Sequence, residues 1–223
     1  MPLSTDSTAL QVLTLDRIGR THVEQARAAC RGGATWIQLR AKRMKLPDWI
    51  VLATEVVEVC RSYGAMCIVN DSVWVALASG ADGVHLGKND ISPVDARHLM
   101  GPSKIIGVTV NNLEDAERVH AQNIADYAGV GPWRFTKSKS NLAPVLPPAG
   151  IRRIVERLAH LPCYIIGGVA PEDIPPILEL GARGVAISSA IVAAEHPDEV
   201  VRFALAQCAG NDAGRGYGAG TAT

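Results

Sequence analysis

The stretch Ala78-Ser-Gly-Ala-Asp-Gly-Val-His-Leu-Gly87 decides how the chain is read, because it echoes twice more. Arg31-Gly-Gly-Ala-Thr-Trp-Ile-Gln38 and Glu179-Leu-Gly-Ala-Arg-Gly-Val-Ala-Ile187 place the same Gly-Ala pair two or three residues before an apolar run. A glycine suits the end of a helix, where the backbone turns left-handed, and the small alanine lets a strand begin at once. Each echo therefore marks a junction from helix to strand. Working outward, β-type runs recur as LQVLTL (10–15), TWIQLR (35–40), MCIVND (66–71), GVHLG (83–87), IIGVTV (105–110), DYAGVG (126–131), CYIIGG (163–168) and GVAISSA (184–190). Their interiors are continuous apolar runs, the signature of parallel strands covered on both faces.

Between the runs lie segments with helical spacing, several opening on proline with an acid and closing at glycine. They include PDWIVLATEVVEVCRSYG (47–64), PVDARHLMG (93–101), PEDIPPILELG (171–181) and PDEVVRFALAQ (197–207). Eight strands alternating with about eight helices in 223 residues predict an α/β fold, a single-domain TIM (β/α)8 barrel near the lower end of its usual size. An open doubly wound sheet is the alternative. It needs a break in the alternation at a topological switch point, and the strands continue without one. The barrel is assigned to residues 10–208, with residues 1–9 a disordered tail and 209–223 a flexible Gly-rich tail.

An apolar fraction of 48% supports a sizeable core, and 22 basic residues balance 22 acidic ones. A chain with no net charge is not a general nucleic-acid or membrane-surface binder, so any basic site must be local. Five cysteines without CxxC spacing, mostly among apolar neighbours, read as reduced, buried thiols. No basic region followed by an apolar run opens the chain, and the expected compartment is the cytoplasm. Small-molecule substrates are the expected partners, and a homo-oligomer is left open.

In a TIM barrel the active site lies at the C-terminal ends of the strands. Polar residues accumulate there. After the second strand, alternation puts Gln38, Arg40 and Lys42 on one face. The third strand ends in Asn70-Asp71, and Lys88-Asn89-Asp90 follows the fourth. Two carboxylates at neighbouring strand ends suit a hard cation such as Mg²⁺, although each could instead cap a helix or a turn. His85 reads as a packed barrel or rim histidine. The fifth strand ends at Thr109, and the sixth runs into Arg134, Thr136, Lys137, Ser138 and Lys139. Gly167-Gly168 and Ser188-Ser189 close the last two strands, where this fold usually cradles a phosphate on backbone N–H groups. One neutral nest facing a cluster of Arg40, Lys42 and Lys139 with two carboxylates implies two anions, a monophosphate and a metal-bound diphosphate.

As an ordered set, these residues resemble the thiamine-phosphate synthase family. The resemblance rests on the QLRxK element Gln38–Lys42, on Asn70-Asp71 with Ala76-Leu77-Ala78 and Gly80–Asp90, and on Ile105–Thr109. Gly129–Lys139, Gly167-Gly168 and Ser188-Ser189 complete it, over about Leu10 to Ala206. The chain departs from the family's pattern at Arg134-Phe135, at Ser140 and at Leu146-Pro147-Pro148. The resemblance implies an Mg²⁺-dependent transferase joining 4-amino-5-hydroxymethyl-2-methylpyrimidine diphosphate to hydroxyethylthiazole phosphate. It implies Arg40, Lys42 and Lys139 as catalytic groups that, with Asn70, meet the diphosphate, and Asp71 and Asp90 as Mg²⁺ ligands. Gln38 and Thr109 fall on the pyrimidine side. Thr136, Ser138, Gly168, Ser188 and Ser189 fall on the thiazole-phosphate side. A thiazole tautomerase of the same fold, or a non-catalytic thiazole-phosphate sensor, would need the nest without the full cation set.

Overall fold

The computed structural model describes residues 9–16, 19–42, 44–135 and 143–210. Both tails assigned from the sequence, apart from Ala9 and residues 209 and 210, lie outside these. Eight parallel strands close into a barrel in sequence order, with β8 pairing back onto β1. They are β1 (Leu10–Leu13), β2 (Trp36–Leu39), β3 (Met66–Asn70), β4 (Gly83–Leu86), β5 (Ile105–Val110), β6 (Tyr127–Val130), β7 (Cys163–Ile166) and β8 (Gly184–Ile187). Each coincides with one of the eight apolar runs.

The outer layer is α1 (His22–Arg31), α2 (Leu46–Ser62), α3 (Val73–Ser79), α4 (Pro93–Met100), α5 (Leu113–Gln122), α6 (Pro148–Arg157), α7 (Ile174–Glu179), α8 (Ser189–Val192) and α9 (Pro197–Ala209). Local chemistry sets the boundaries. Thr21 and Glu24 form a reciprocal capping box on α1, Ser92 and Asn112 cap α4 and α5, and Gly80 ends α3 in the left-handed region. The segment 171–181 divides into a 3-10 turn (Pro171–Asp173) and the short α7. Pro175 and Pro176 fall in the first turn of α7, where their missing N–H groups cost no helical hydrogen bond.

Alternation along the strands separates two cores. Outward side chains such as Ile37, Leu39, Val69, Val84 and Ile106 pack against the helices. Inward ones meet across the lumen: Trp36 on β2 lies edge-to-face with Tyr127 on β6 and Tyr164 on β7, both at 4.8 Å between ring centres. β2 neighbours neither β6 nor β7, so the rings meet across the lumen and plug the lower barrel as a packed floor. Gly107 makes this floor possible, since a Cβ there would lie 2.1 Å from Tyr127 Cζ. All five cysteines are buried free thiols. Among the described residues no helix is long and apolar enough to cross a membrane.

Candidate active site

Above the aromatic floor the barrel opens into a cavity of about 620 Å³. Ten residues singled out in the sequence line it together: Gln38, Arg40, Lys42, Asn70, Asp71, Asp90, Thr109, Gly168, Ser188 and Ser189. Thr136, Ser138 and Lys139 fall outside the described residues. Arg134, from the same stretch, pairs through both guanidinium nitrogens with Asp173, which places it in a structural ion pair rather than in the cavity lining.

One arc of the mouth, from β2 to β4, is charged. The backbone carrying its cations is pinned from β1. Thr14 Oγ1 accepts from the Arg40 amide at 3.0 Å, and Asp16 Oδ2 accepts from the Lys42 amide at 3.2 Å. His22 ties the two acceptors together, with Nδ1 2.8 Å from Thr14 Oγ1 and Nε2 3.0 Å from Asp16 Oδ1. Burial lowers the proton affinity of Arg40, opposed by the charges of Asp71 and Asp16. A guanidinium stripped of water in this way gains from an incoming anion. The Thr14–Asp16–His22 clamp was not read from the sequence. Applying the strand-end rule to β1 would have flagged Thr14 and Asp16, whereas nothing local marks His22.

Asp71 sits at φ +69°, one of two described non-glycine residues with positive φ. Ser72, not Asp71, caps α3, accepting from the Val75 amide. Asp tolerates the left-handed region better than most side chains, and the turn leaves its carboxylate at the cavity. Lys42 Nζ approaches Asp71 Oδ2 at 3.3 Å. Asp90 accepts from the Gly87 amide at 2.7 Å, so it also serves as the turn residue the sequence allowed for. Burial raises the Asp90 carboxyl, and the adjacent Asp71 charge adds to it despite that amide bond. Two crowded carboxylates suit a hard divalent cation, and Mg²⁺ usually takes only one or two protein carboxylates besides phosphate oxygens and water. Among the described residues no cluster of three or more His, Cys, Asp or Glu forms a fuller metal cage.

The opposite arc is neutral. Gly167 and Gly168, at φ +94° and +71°, turn the backbone after β7 into a concavity. Across it lies Ser188, whose Oγ is buried yet meets no hydrogen-bond partner among the described residues. A buried hydroxyl without a partner costs free energy, and an anion would supply the missing acceptor.

Two further groups escaped the sequence reading. Asn111 lines the cavity, and its Nδ2 donates to the Gly131 carbonyl at 2.6 Å. Beneath it, buried Asp115 accepts from the Asn111 amide at 2.9 Å, pairs with Arg118 at 2.6 Å and forms an ion pair with Lys88, another lining residue. Burial alone would raise Asp115, but Lys88, the Asn111 amide and Arg118 outweigh it and hold the carboxyl below its ordinary value.

A closed barrel with a cationic arc facing a glycine-built nest defines the class, a phosphate-handling TIM-barrel enzyme. The family described as thiamine monophosphate synthase matches residues 10–191. Thiamine-phosphate synthase of Bacteroides fragilis is 40% identical over 201 residues, covering 88% of this chain and 98% of that protein. The Flavobacterium johnsoniae thiamine-phosphate synthase is 37% identical over 186 residues, covering 82% and 87%. Among solved structures, thiamine phosphate pyrophosphorylase from Pyrococcus furiosus superposes with a TM-score of 0.83 at 32% identity, covering 92% of this chain and 98% of that one. A 3-hexulose-6-phosphate synthase, at TM-score 0.66 and 20% identity, shares the fold. The chain belongs to the thiamine monophosphate synthase family, and it is a transferase.

Proposed function

We propose that the protein is a thiamine-phosphate synthase acting on two small phosphorylated molecules in the cytoplasm. It transfers the aminopyrimidine methylene from its diphosphate to the ring nitrogen of hydroxyethylthiazole phosphate. The observation that carries this reading is the meeting of a charged arc and a neutral nest on one cavity, within a chain of this family.

In the transfer, the bond between the methylene carbon and the diphosphate oxygen breaks, and its electron pair leaves with diphosphate. The electron-rich aminopyrimidine stabilises the carbon cation, and the thiazole nitrogen lone pair forms the new C–N bond. Arg40, Lys42, Asn70 and Lys139 hold the diphosphate and offset charge as it builds on the leaving group. Asp71 and Asp90 would hold Mg²⁺, which would supply further charge neutralisation for the leaving diphosphate. Gln38 and Thr109 contact the pyrimidine. The Gly168 backbone, Ser188 and Ser189, with Thr136 and Ser138, hold the thiazole phosphate in line for attack. No general base is demanded, in keeping with His85, the one histidine among the described lining residues, having both ring nitrogens engaged by protein groups.

The test is diphosphate release by the purified protein given pyrimidine diphosphate, thiazole phosphate and Mg²⁺, each omitted in turn. Release that requires all three and yields thiamine phosphate supports the synthase. Absence of release while thiazole phosphate still binds would turn the reading to a tautomerase or a sensor.

A further inference from the structure

Five polar side chains inside the barrel form a chain that the transfer chemistry leaves unexplained. Gln38 Nε2 donates to Gln11 Oε1 at 3.1 Å, and Gln11 Nε2 donates to the Tyr127 hydroxyl at 3.3 Å. Tyr127 Oη lies 3.0 Å from His85 Nδ1, and His85 Nε2 lies 3.0 Å from Thr109 Oγ1. Gln11, Gln38 and Tyr127 are 1% exposed or less. Gln38, His85 and Thr109 line the cavity, whereas Gln11 and Tyr127 lie beneath it.

Counting protons gives the chain a direction. A phenol oxygen has two lone pairs and one proton. The Gln11 amide nitrogen can only donate, so it occupies one lone pair, and His85 Nδ1 is the partner able to accept the phenol proton, which burial would otherwise leave unsatisfied. Burial pushes the Tyr127 pKa up, which keeps that proton in place. An imidazole that accepts at Nδ1 carries its own proton on Nε2. Nε2 therefore donates to Thr109 Oγ1, and the Thr109 hydroxyl proton turns toward the cavity. At the other end the Gln38 amide nitrogen donates to Gln11, which leaves its carbonyl oxygen as the group offered to a ligand.

We infer that this buried chain fixes the polarity of the cavity floor, making Thr109 a hydrogen-bond donor and Gln38 an acceptor, so that the floor selects a ring carrying an amino N–H and an unprotonated ring nitrogen. Tyr127, Gln11 and His85 are then positioning residues that set substrate specificity through Thr109 and Gln38. The inference rests on the synthase reading, in which an aminopyrimidine occupies this floor. The oxo analogue of the ring, with a carbonyl in place of the amine and a proton on the ring nitrogen, presents the reverse pattern and is rejected.

Two measurements test the chain. In the wild-type protein labelled with ¹⁵N-histidine, long-range ¹H–¹⁵N spectra should show His85, assigned through His85→Gln, as the neutral Nε2–H tautomer. A cationic ring or the Nδ1–H tautomer would overturn the direction of the chain, and this holds even should no Tyr127 variant fold. Tyr127→Phe removes the proton donated to His85 and should raise KM for the pyrimidine diphosphate about tenfold, the scale of one well-formed hydrogen bond. It should also narrow the preference for the amino over the oxo ring, while KM for thiazole phosphate stays unchanged. A folded Tyr127→Phe enzyme with wild-type KM for the pyrimidine substrate and undiminished discrimination would overturn the specificity role. Failure of the synthase reading would look different, since the wild-type protein would then release no diphosphate at all.

Discussion

Gly168→Ala isolates the nest from the rest of the cavity. Gly168 sits at φ +71°, a region that costs an L-residue roughly 1–2 kcal/mol. The new Cβ would stand 2.9 Å from Arg134 Cβ and 3.2 Å from the carbonyl oxygens of Arg134 and Phe135. Two of these three contacts are backbone, so relief requires moving the chain that leads out of β6, and overpacking of this kind costs roughly 1–3 kcal/mol. The sum, about 2–5 kcal/mol, corresponds to a Tm lowered by roughly 5–15 °C in a domain of this size. Because the same backbone forms the nest, KM for thiazole phosphate should rise while KM for the pyrimidine diphosphate holds. Calorimetry and steady-state kinetics with each substrate varied in turn read both effects. An unchanged Tm would mean that the turn is not strained by a side chain, and a rise in both KM values alike would mean that the nest is not a separate phosphate subsite.

Other substitutions probe the charged arc. Lys139→Ala should lower diphosphate release by orders of magnitude while leaving the Tm and thiazole-phosphate binding near wild type; near-normal turnover would remove this lysine from the mechanism. Asp90→Asn should raise the Mg²⁺ concentration needed for half-maximal turnover. It should leave the metal-free protein at least as stable, because burial and Asp71 already disfavour the Asp90 charge; an unchanged metal titration would reduce Asp90 to a turn residue. Asp115, held below its ordinary value of 3.8 by Lys88, the Asn111 amide and Arg118 despite burial, gives a pH signature. A depressed carboxyl pKa stabilises the fold above that ordinary value, and the contribution is lost as pH falls through the depressed one. Asp115→Asn should therefore lower the Tm near neutrality and flatten its decline across this acid window. Parallel Tm profiles for the two proteins would show that the pairing contributes nothing.

The sequence by itself determined the barrel and much of its rim. Continuous apolar runs separated by helix-ending glycines encode buried parallel strands, and eight of them in unbroken alternation leave closure as the favoured topology. Strand alternation then placed Gln38, Arg40 and Lys42 on one face, and all three line the cavity with Asn70, Asp71 and Asp90. Local chemistry was less decisive where two polar residues adjoin. Asp71 and Ser72 were both able to cap α3, and the left-handed turn at Asp71 gave that task to Ser72.

Tertiary structure alone decided what lies opposite what. Periodicity tells which face a side chain takes, but not which strand it meets across the lumen, because that depends on the stagger at which the barrel closes. Gln11 and Tyr127 stand 116 residues apart in sequence and meet only when β1 and β6 face each other across the closed barrel. His22 could not be recognised as the tie between Thr14 and Asp16 until α1 was packed back on β1. Arg134, a cation in a stretch that seemed made for anions, found its partner in Asp173, a contact set by how the chain leaving β6 passes the turn after β7. The residue types that bind and neutralise are thus written locally, whereas the hydrogen-bond polarity that orients them is a property of the closed barrel.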